Sequence, residues 1–292
     1  MTEYPSEDPT ESTPEQGGDS ALRTFVGLFF VPLLVVVLCV AVFVGFGWIA
    51  YDHHSTQDYL NDLRSGWKPR RAQAAYELSK ILVADPEALD DTPGAREDLR
   101  QLFQESEPGD MKRYLALVLG YTHDPESVPL LVETLDDPDS ETRIYALWAL
   151  GTVGAPEARP PLEKALQDQD PGIRKTAAFA LGELGDPRSV EALQPLLQDS
   201  VADVRWNAAL AVSRLGSALG LDVLYEIVDR DQTSRVPGIT PSQAEEAMVS
   251  AVTALGTIRD DESRALLEQL ADEDPSLKVR RAALEALKYL DS

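Results

Sequence analysis

At 292 residues and 43% hydrophobic, the chain has material for a membrane span plus one or two ordinary folded domains. Its 26 basic against 50 acidic residues give a net charge of −24, which opposes nucleic-acid phosphates, so no nucleic-acid partner is expected. A single cysteine, Cys39, excludes an intramolecular disulfide and a cysteine-based zinc site, and three scattered histidines (His53, His54, His123) make no metal cluster, so neither metal nor cofactor is expected.

Residues 1–23 are rich in Glu, Asp, Pro, Ser, Thr and Gly and carry almost no large apolar side chains. They cannot bury enough surface to offset chain entropy and read as a disordered acidic tail. From Phe25 to Ala50 run 26 residues without a charge, more than the roughly 20 a helix needs to cross hydrocarbon. The pattern predicts a transmembrane helix over 24–51, with the membrane met through residues 25–50. Pro32 falls near its start, where a missing N–H is tolerated, and Trp48 and Tyr51 suit an interfacial belt. A cleaved signal peptide fits less well, because the apolar run is too long, the leading segment is acidic and no A-x-A site follows. Arg23 alone precedes the span, whereas Arg64, Lys68, Arg70 and Arg71 follow it, so the positive-inside rule puts the C-terminal part of this single-pass cell-membrane protein in the cytoplasm.

In the segment 52–67, Tyr59, Leu63 and Trp67 recur every four residues and so share one helix face, just ahead of Lys68, Arg70 and Arg71. Such a juxtamembrane amphipathic segment either lies on the membrane surface or packs as a first helix on the C-terminal part of the chain; both readings stand at this point.

From 68 to 292 the sequence repeats itself with a period of 31. Leu119-Gly120, Leu150-Gly151 and Leu181-Gly182 keep that step, as do Pro125, Pro156 and Pro187, and Arg143, Arg174 and Arg205, with Lys112 one step earlier. Asp137, Asp168 and Asp199 each precede an arginine by six residues. Within a unit, Val128, Leu130, Leu131 and Leu135 form a helical stripe, Asp137-Pro138-Asp139-Ser140 a turn and cap, and Arg143 to Val153 a second, alanine-rich helix. One hairpin cannot bury its own apolar face, so stacking must supply the core. The register slips twice, with a step of 41 between Ser79 and Gly120 and of 43 between Ser213 and Gly256; the second surplus falls on the polar stretch Asp229 to Pro241.

The runs Asp-Pro-Asp-Ser-Glu-Thr-Arg-Ile-Tyr-Ala-Leu-Trp-Ala-Leu-Gly (137–151) and Asp-Pro-Gly-Ile-Arg-Lys-Thr-Ala-Ala-Phe-Ala-Leu-Gly (170–182) resemble HEAT repeats of the short phycocyanobilin-lyase-like type. The resemblance implies an all-α fold, a transmembrane helix followed by a right-handed solenoid of six or seven hairpins. It also implies that Asp137, Asp168, Asp199, Arg143, Arg174 and Arg205 form a structural ladder between units.

Deoxyhypusine hydroxylases resemble this architecture but hold iron with paired His-Glu dipeptides, and the chain has none. No Walker loop, nucleophile elbow or dinucleotide fingerprint is present either. The expectation is therefore no enzyme and no catalytic residue, but a membrane-anchored scaffold or assembly subunit that binds a protein partner on its concave face. The alternative is an accessory lyase-like or cofactor-protein maturation subunit. Counting from each repeat's basic residue, positions two, five and nine are variable, and large side chains there stand out on an alanine-rich helix. They nominate Tyr114, Tyr121, Tyr145, Trp148, Phe179, Glu183, Asn207, Leu210 and Arg214 as partner-binding residues.

Overall fold

Helix ends in this chain are set by a few caps that recur with the repeat. The computed structural model describes residues 27, 30–50, 55–65, 68–259 and 261–291, in two units, Met1–His54 and Ser55–Ser292. The acidic tail 1–23, His53, His54 and Trp67 lie outside the described residues.

In the first unit, α1 is Val31–Ala50. It has no polar side: residues 32–44 are exposed on every face, Leu34 at 67% and Phe43 at 79%. Those residues rise only about 20 Å, and among the described residues no helix is long and apolar enough to cross a membrane.

The second unit stacks seven helical hairpins among the described residues. Their first helices are α2 (Thr56–Leu63), α4 (Ala95–Glu105), α6 (Val128–Glu133), α8 (Arg159–Ala165), α10 (Val190–Leu193), α12 (Leu221–Val228) and α15 (Arg264–Glu273). Their second helices are α3 (Lys68–Ala84), α5 (Asp110–Tyr121), α7 (Ser140–Val153), α9 (Pro171–Leu184), α11 (Ala202–Arg214), α14 (Pro241–Ile258) and α16 (Leu277–Leu290), and a short extra helix, α13 (Arg230–Thr233), interrupts the last step but one. The prolines at the 31-residue step open a single 3-10 turn before a first helix, and where Asp124 and Asp186 precede them those carboxylates accept the amides of Glu126 and Arg188. Asp139 and Asp170 cap the second helices α7 and α9, which end on Gly154 and Gly185 at φ +73° and +72°.

Of the segment 52–67, the described residues 55–65 pack on the repeats. Ser55 and Asp58 form a capping box on α2, whose Leu60 and Leu63 are fully buried in the same core as Leu78 and Leu82 of α3. Among the described residues the helical stack thus includes α2, ahead of residue 68. Sequence periodicity alone cannot tell a helix whose apolar face meets lipid from one whose face meets a neighbouring helix.

The Leu-Gly signature marks where units touch most closely. A Cβ added at Gly120, Gly151, Gly182 or Gly256 would meet the Cα of Ala149, Ala180, Ala211 or Ala286 on the next second helix at 3.0, 2.7, 3.0 and 2.8 Å. Glycine against alanine lets the backbones approach, which explains why both residue types keep the period.

Each ladder aspartate has two tasks. The carboxylates of Asp137, Asp168, Asp199 and Asp274 accept the amide two residues on at 2.8–2.9 Å, fixing the inter-helix turn. Their main-chain carbonyls accept from Nη1 of Arg143, Arg174, Arg205 and Arg280 at 2.8–2.9 Å. Arg174 also crosses to the next unit, donating Nε and Nη2 to Asp199 at 2.8 and 3.1 Å, and Lys112 reaches Asp137 at 3.4 Å. One expected rung is corrected: no hydrogen bond or ion pair joins Arg143 to Asp168 among the described residues. The Arg143 guanidinium is committed to the carbonyls of Asp137 and Pro138, and a groove of about 410 Å³ opens beside both side chains. Arg205 likewise crosses to Glu226, at 2.7 Å, and not to an aspartate.

The irregular step at 229–241 also belongs to the ladder. Met248, eight residues before Gly256 as Arg143 is before Gly151, stands at the cation's position in α14 and is fully buried. The missing charge comes from the insertion, where Arg230 of α13 donates to Asp274 at 2.7 Å.

Two consequences are measurable. Arg174 and Asp199 are only 15% and 11% exposed, so Arg174→Ala should cost the 55–292 fragment about 1.5–3 kcal/mol in urea unfolding; a midpoint unchanged within error would refute a ladder that binds units together. Asp199 is more acidic than an ordinary aspartate, first because of Arg174, and Asp139 is lowered to about 2, first by the Thr142 hydroxyl and then by Arg113. Groups more acidic when folded contribute stability above their unfolded pKa and lose it as pH falls through the folded value. Thermal midpoints should therefore hold down to about pH 4 and decline from there to about pH 2, and Asp139→Asn should shallow that decline.

Candidate partner-binding face

All nine nominated residues lie on the second helices α5, α7, α9 and α11. The structure brings four together. Tyr145, Trp148, Phe179 and Asn207, with Leu117, Ile144, Lys175 and Thr176, line a groove of about 460 Å³ that runs across those four helices. The aromatic rings are half-buried, with one side on the solenoid and the other on the groove.

The other nominees flank it. Tyr121 meets Trp148 edge-on at a centroid distance of 4.9 Å, and Tyr114 meets Tyr76 of α3 at 5.5 Å, so aromatic contacts extend toward the first unit of the stack. Burial raises the Tyr121 phenol pKa. Beyond Phe179, the Arg214 guanidinium lies 5.8 Å from the ring centre and pairs with Glu183 at 2.7 Å. Leu210 packs against the core of the C-terminal units, as Tyr114, Tyr121 and Tyr145 do against the core of the preceding ones.

The charged residue of the lining, Lys175, pairs with Asp203 at 3.0 Å, and Arg113, one turn before Leu117, pairs with Asp139 at 2.9 Å and with Glu141. Further along, α14 presents Ser250, Thr253 and Thr257, whose hydroxyls all donate to carbonyls four residues back in their own helix. The groove lining thus ends at Asn207 of α11, and its last aromatic is Phe179 of α9.

Sequence counting missed Leu117, Ile144, Lys175 and Thr176. Leu117 and Thr176 occupy positions five and two of the counting rule but lack the aromatic or charged character that makes a residue stand out there. Ile144 and Lys175 occupy position one, four residues before Trp148 and Phe179 and so on the same helix face, an i,i+4 relation that the counting rule leaves out.

The HEAT repeats family matches residues 96–178 and 160–240. Those two matches coincide with the hairpins that carry the 31-residue step, the Gly–Ala contacts from Gly120 to Ala211 and the turns at Asp137, Asp168 and Asp199. The fold is a HEAT-repeat solenoid. Among solved structures, the complex of CpcE and CpcF of phycocyanin lyase from Nostoc sp. PCC7120 superimposes with a TM-score of 0.57 and 22% identity over 80% of this chain and 86% of that one. An engineered protein aligns at 20% identity over 81% and 96% (TM-score 0.44), and human deoxyhypusine hydroxylase at 19% over 81% and 96% (TM-score 0.34). At these identities the likeness is one of HEAT-repeat fold. The sequence matches no curated protein.

Proposed function

We propose that the chain is a membrane-anchored, non-catalytic scaffold or assembly subunit that takes a protein partner on the second-helix face of its HEAT repeats. The observation that carries this reading is the groove at Trp148 and Phe179. Large aromatic side chains line it at positions the repeat leaves variable, its lining holds a single charged residue, Lys175, and it spans four successive second helices. Buried aromatic anchors ringed by polar groups are the composition of binding hot spots. The carboxylates of Asp137, Asp139 and Asp199 serve a turn, a cap and a rung. An accessory lyase-like role has only the fold likeness behind it.

The anchor rests on α1 and the apolar run around it. A helix apolar on every side leaves no face for water, and 26 uncharged residues suffice to span hydrocarbon. With basic residues concentrated after the run, the solenoid lies in the cytoplasm. Full-length protein extracted in mild detergent should bring a stoichiometric membrane protein with it, while residues 55–292 alone should stay in the soluble fraction. Recovery of the full chain from the soluble fraction, or as a pure monomer from membranes, would count against the reading.

A further inference from the structure

We infer that the segment received by this groove is a basic juxtamembrane stretch of another membrane protein, with an aliphatic or aromatic anchor between its positive charges. This inference rests on the proposed scaffold reading and specifies its partner. Three observations point to it.

The first is charge. Residues 55–292 hold 43 acidic against 25 basic side chains, and the groove's surroundings keep the same sign. Lys175 of the lining is paired with Asp203, Arg214 beside Phe179 with Glu183, and Arg113, one turn before Leu117, with Asp110, Asp139 and Glu141. Glu141, Glu183 and Asp203 remain 62%, 40% and 40% exposed, and a carboxylate with one oxygen on a cation still has acceptor sites to offer a second. A surface of this sign attracts cationic segments and repels acidic ones.

The second is the groove floor. Leu117, Ile144, Trp148 and Phe179 give it an apolar character that a purely charged peptide would not use. The Phe179 ring already receives a guanidinium from Arg214, which shows that ring faces here are compatible with cations.

The third is topology. With α1 as the anchor and the basic residues after the apolar run, the groove faces the cytoplasm. On that side, the segments flanking other proteins' spans are enriched in Lys and Arg, so the charge that the groove favours is the charge that membrane partners offer there.

The test uses the full chain in nanodiscs of neutral lipid, with empty nanodiscs as the blank. The probes are a synthetic peptide with a Leu-Trp-Leu centre flanked by arginines and a twin with glutamates in their place. The arginine peptide should bind at least about tenfold more tightly than its twin, weaken about tenfold as salt is raised to several times physiological, and lose most of its affinity in Trp148→Ala. Equal binding of both peptides, still abolished by Trp148→Ala, would overturn the basic partner and leave the groove as a binding site. Arginine-peptide binding indifferent to Trp148→Ala would overturn both. Failure of the arginine peptide to bind would overturn this inference, with partner co-purification remaining the separate check on the scaffold.

Discussion

Gly151→Val should destabilise the 55–292 unit by about 3 kcal/mol or more, at the upper end of what overpacking costs. A Cβ at 151 would stand 2.7 Å from the Ala180 Cα and 2.8 Å from its carbonyl oxygen. Those are backbone atoms, so no rotamer change makes room, and α7 and α9 would have to separate along the whole joint. The two γ-methyls of valine add to the displacement. In an ordinary helix interior, replacing glycine gains helix propensity, about 1 kcal/mol for alanine, so a loss at this position isolates the contact. Ser79 and Ser213 hold the same repeat position with a Cβ, which shows that joints differ, and the Gly151 joint is among the tightest. Thermal unfolding followed by circular dichroism should show a midpoint lower by on the order of 10 °C. A midpoint within about 2 °C of the parent would mean that the units are not locked by this approach.

Trp148→Ala together with Phe179→Ala should weaken partner binding at least about thirtyfold, the scale of a hot-spot loss of 2 kcal/mol or more. Part of the change will fall on stability, because Trp148 packs edge-on against Tyr121 and such a pair contributes about 0.5–1.5 kcal/mol. That cost is small against a seven-unit stack and leaves helical content intact. Phe179 gives up its cation contact with Arg214, which keeps its pair with Glu183. Loss of folding in the double variant, with partner still retained at low temperature, would reclassify these aromatics as core.

The repeat was legible because its physical causes act locally. Proline at the 3-10 start, aspartate at the turn, glycine against alanine and arginine on the aspartate carbonyl each occupy a fixed sequence offset, so a period of 31 exposes them all at once. What was not legible depends on contacts across units. Nothing in the sequence near Arg143 says that its guanidinium will stay on Asp137 and Pro138 while Arg174 crosses to Asp199. The role of Arg230 was hidden for the same reason, since its partner Asp274 lies 44 residues away and only folding shows that Met248 has left the rung empty. Tyr59 and Leu63 showed a helix face without showing what covers it. The binding face was half legible, in that large residues at variable positions could be counted, whereas Ile144 and Lys175, one turn before Trp148 and Phe179, carry no signal that marks them out.

The most direct measurement places a photo-crosslinking amino acid at position 148, and separately at Thr253 on the hydroxyl-lined α14, in the full chain in native membranes. The account predicts a discrete, light-dependent adduct with a membrane protein from position 148 and none from position 253. Equal adducts from both positions, or an adduct from 253 alone, would contradict a partner-binding face centred on Trp148 and Phe179.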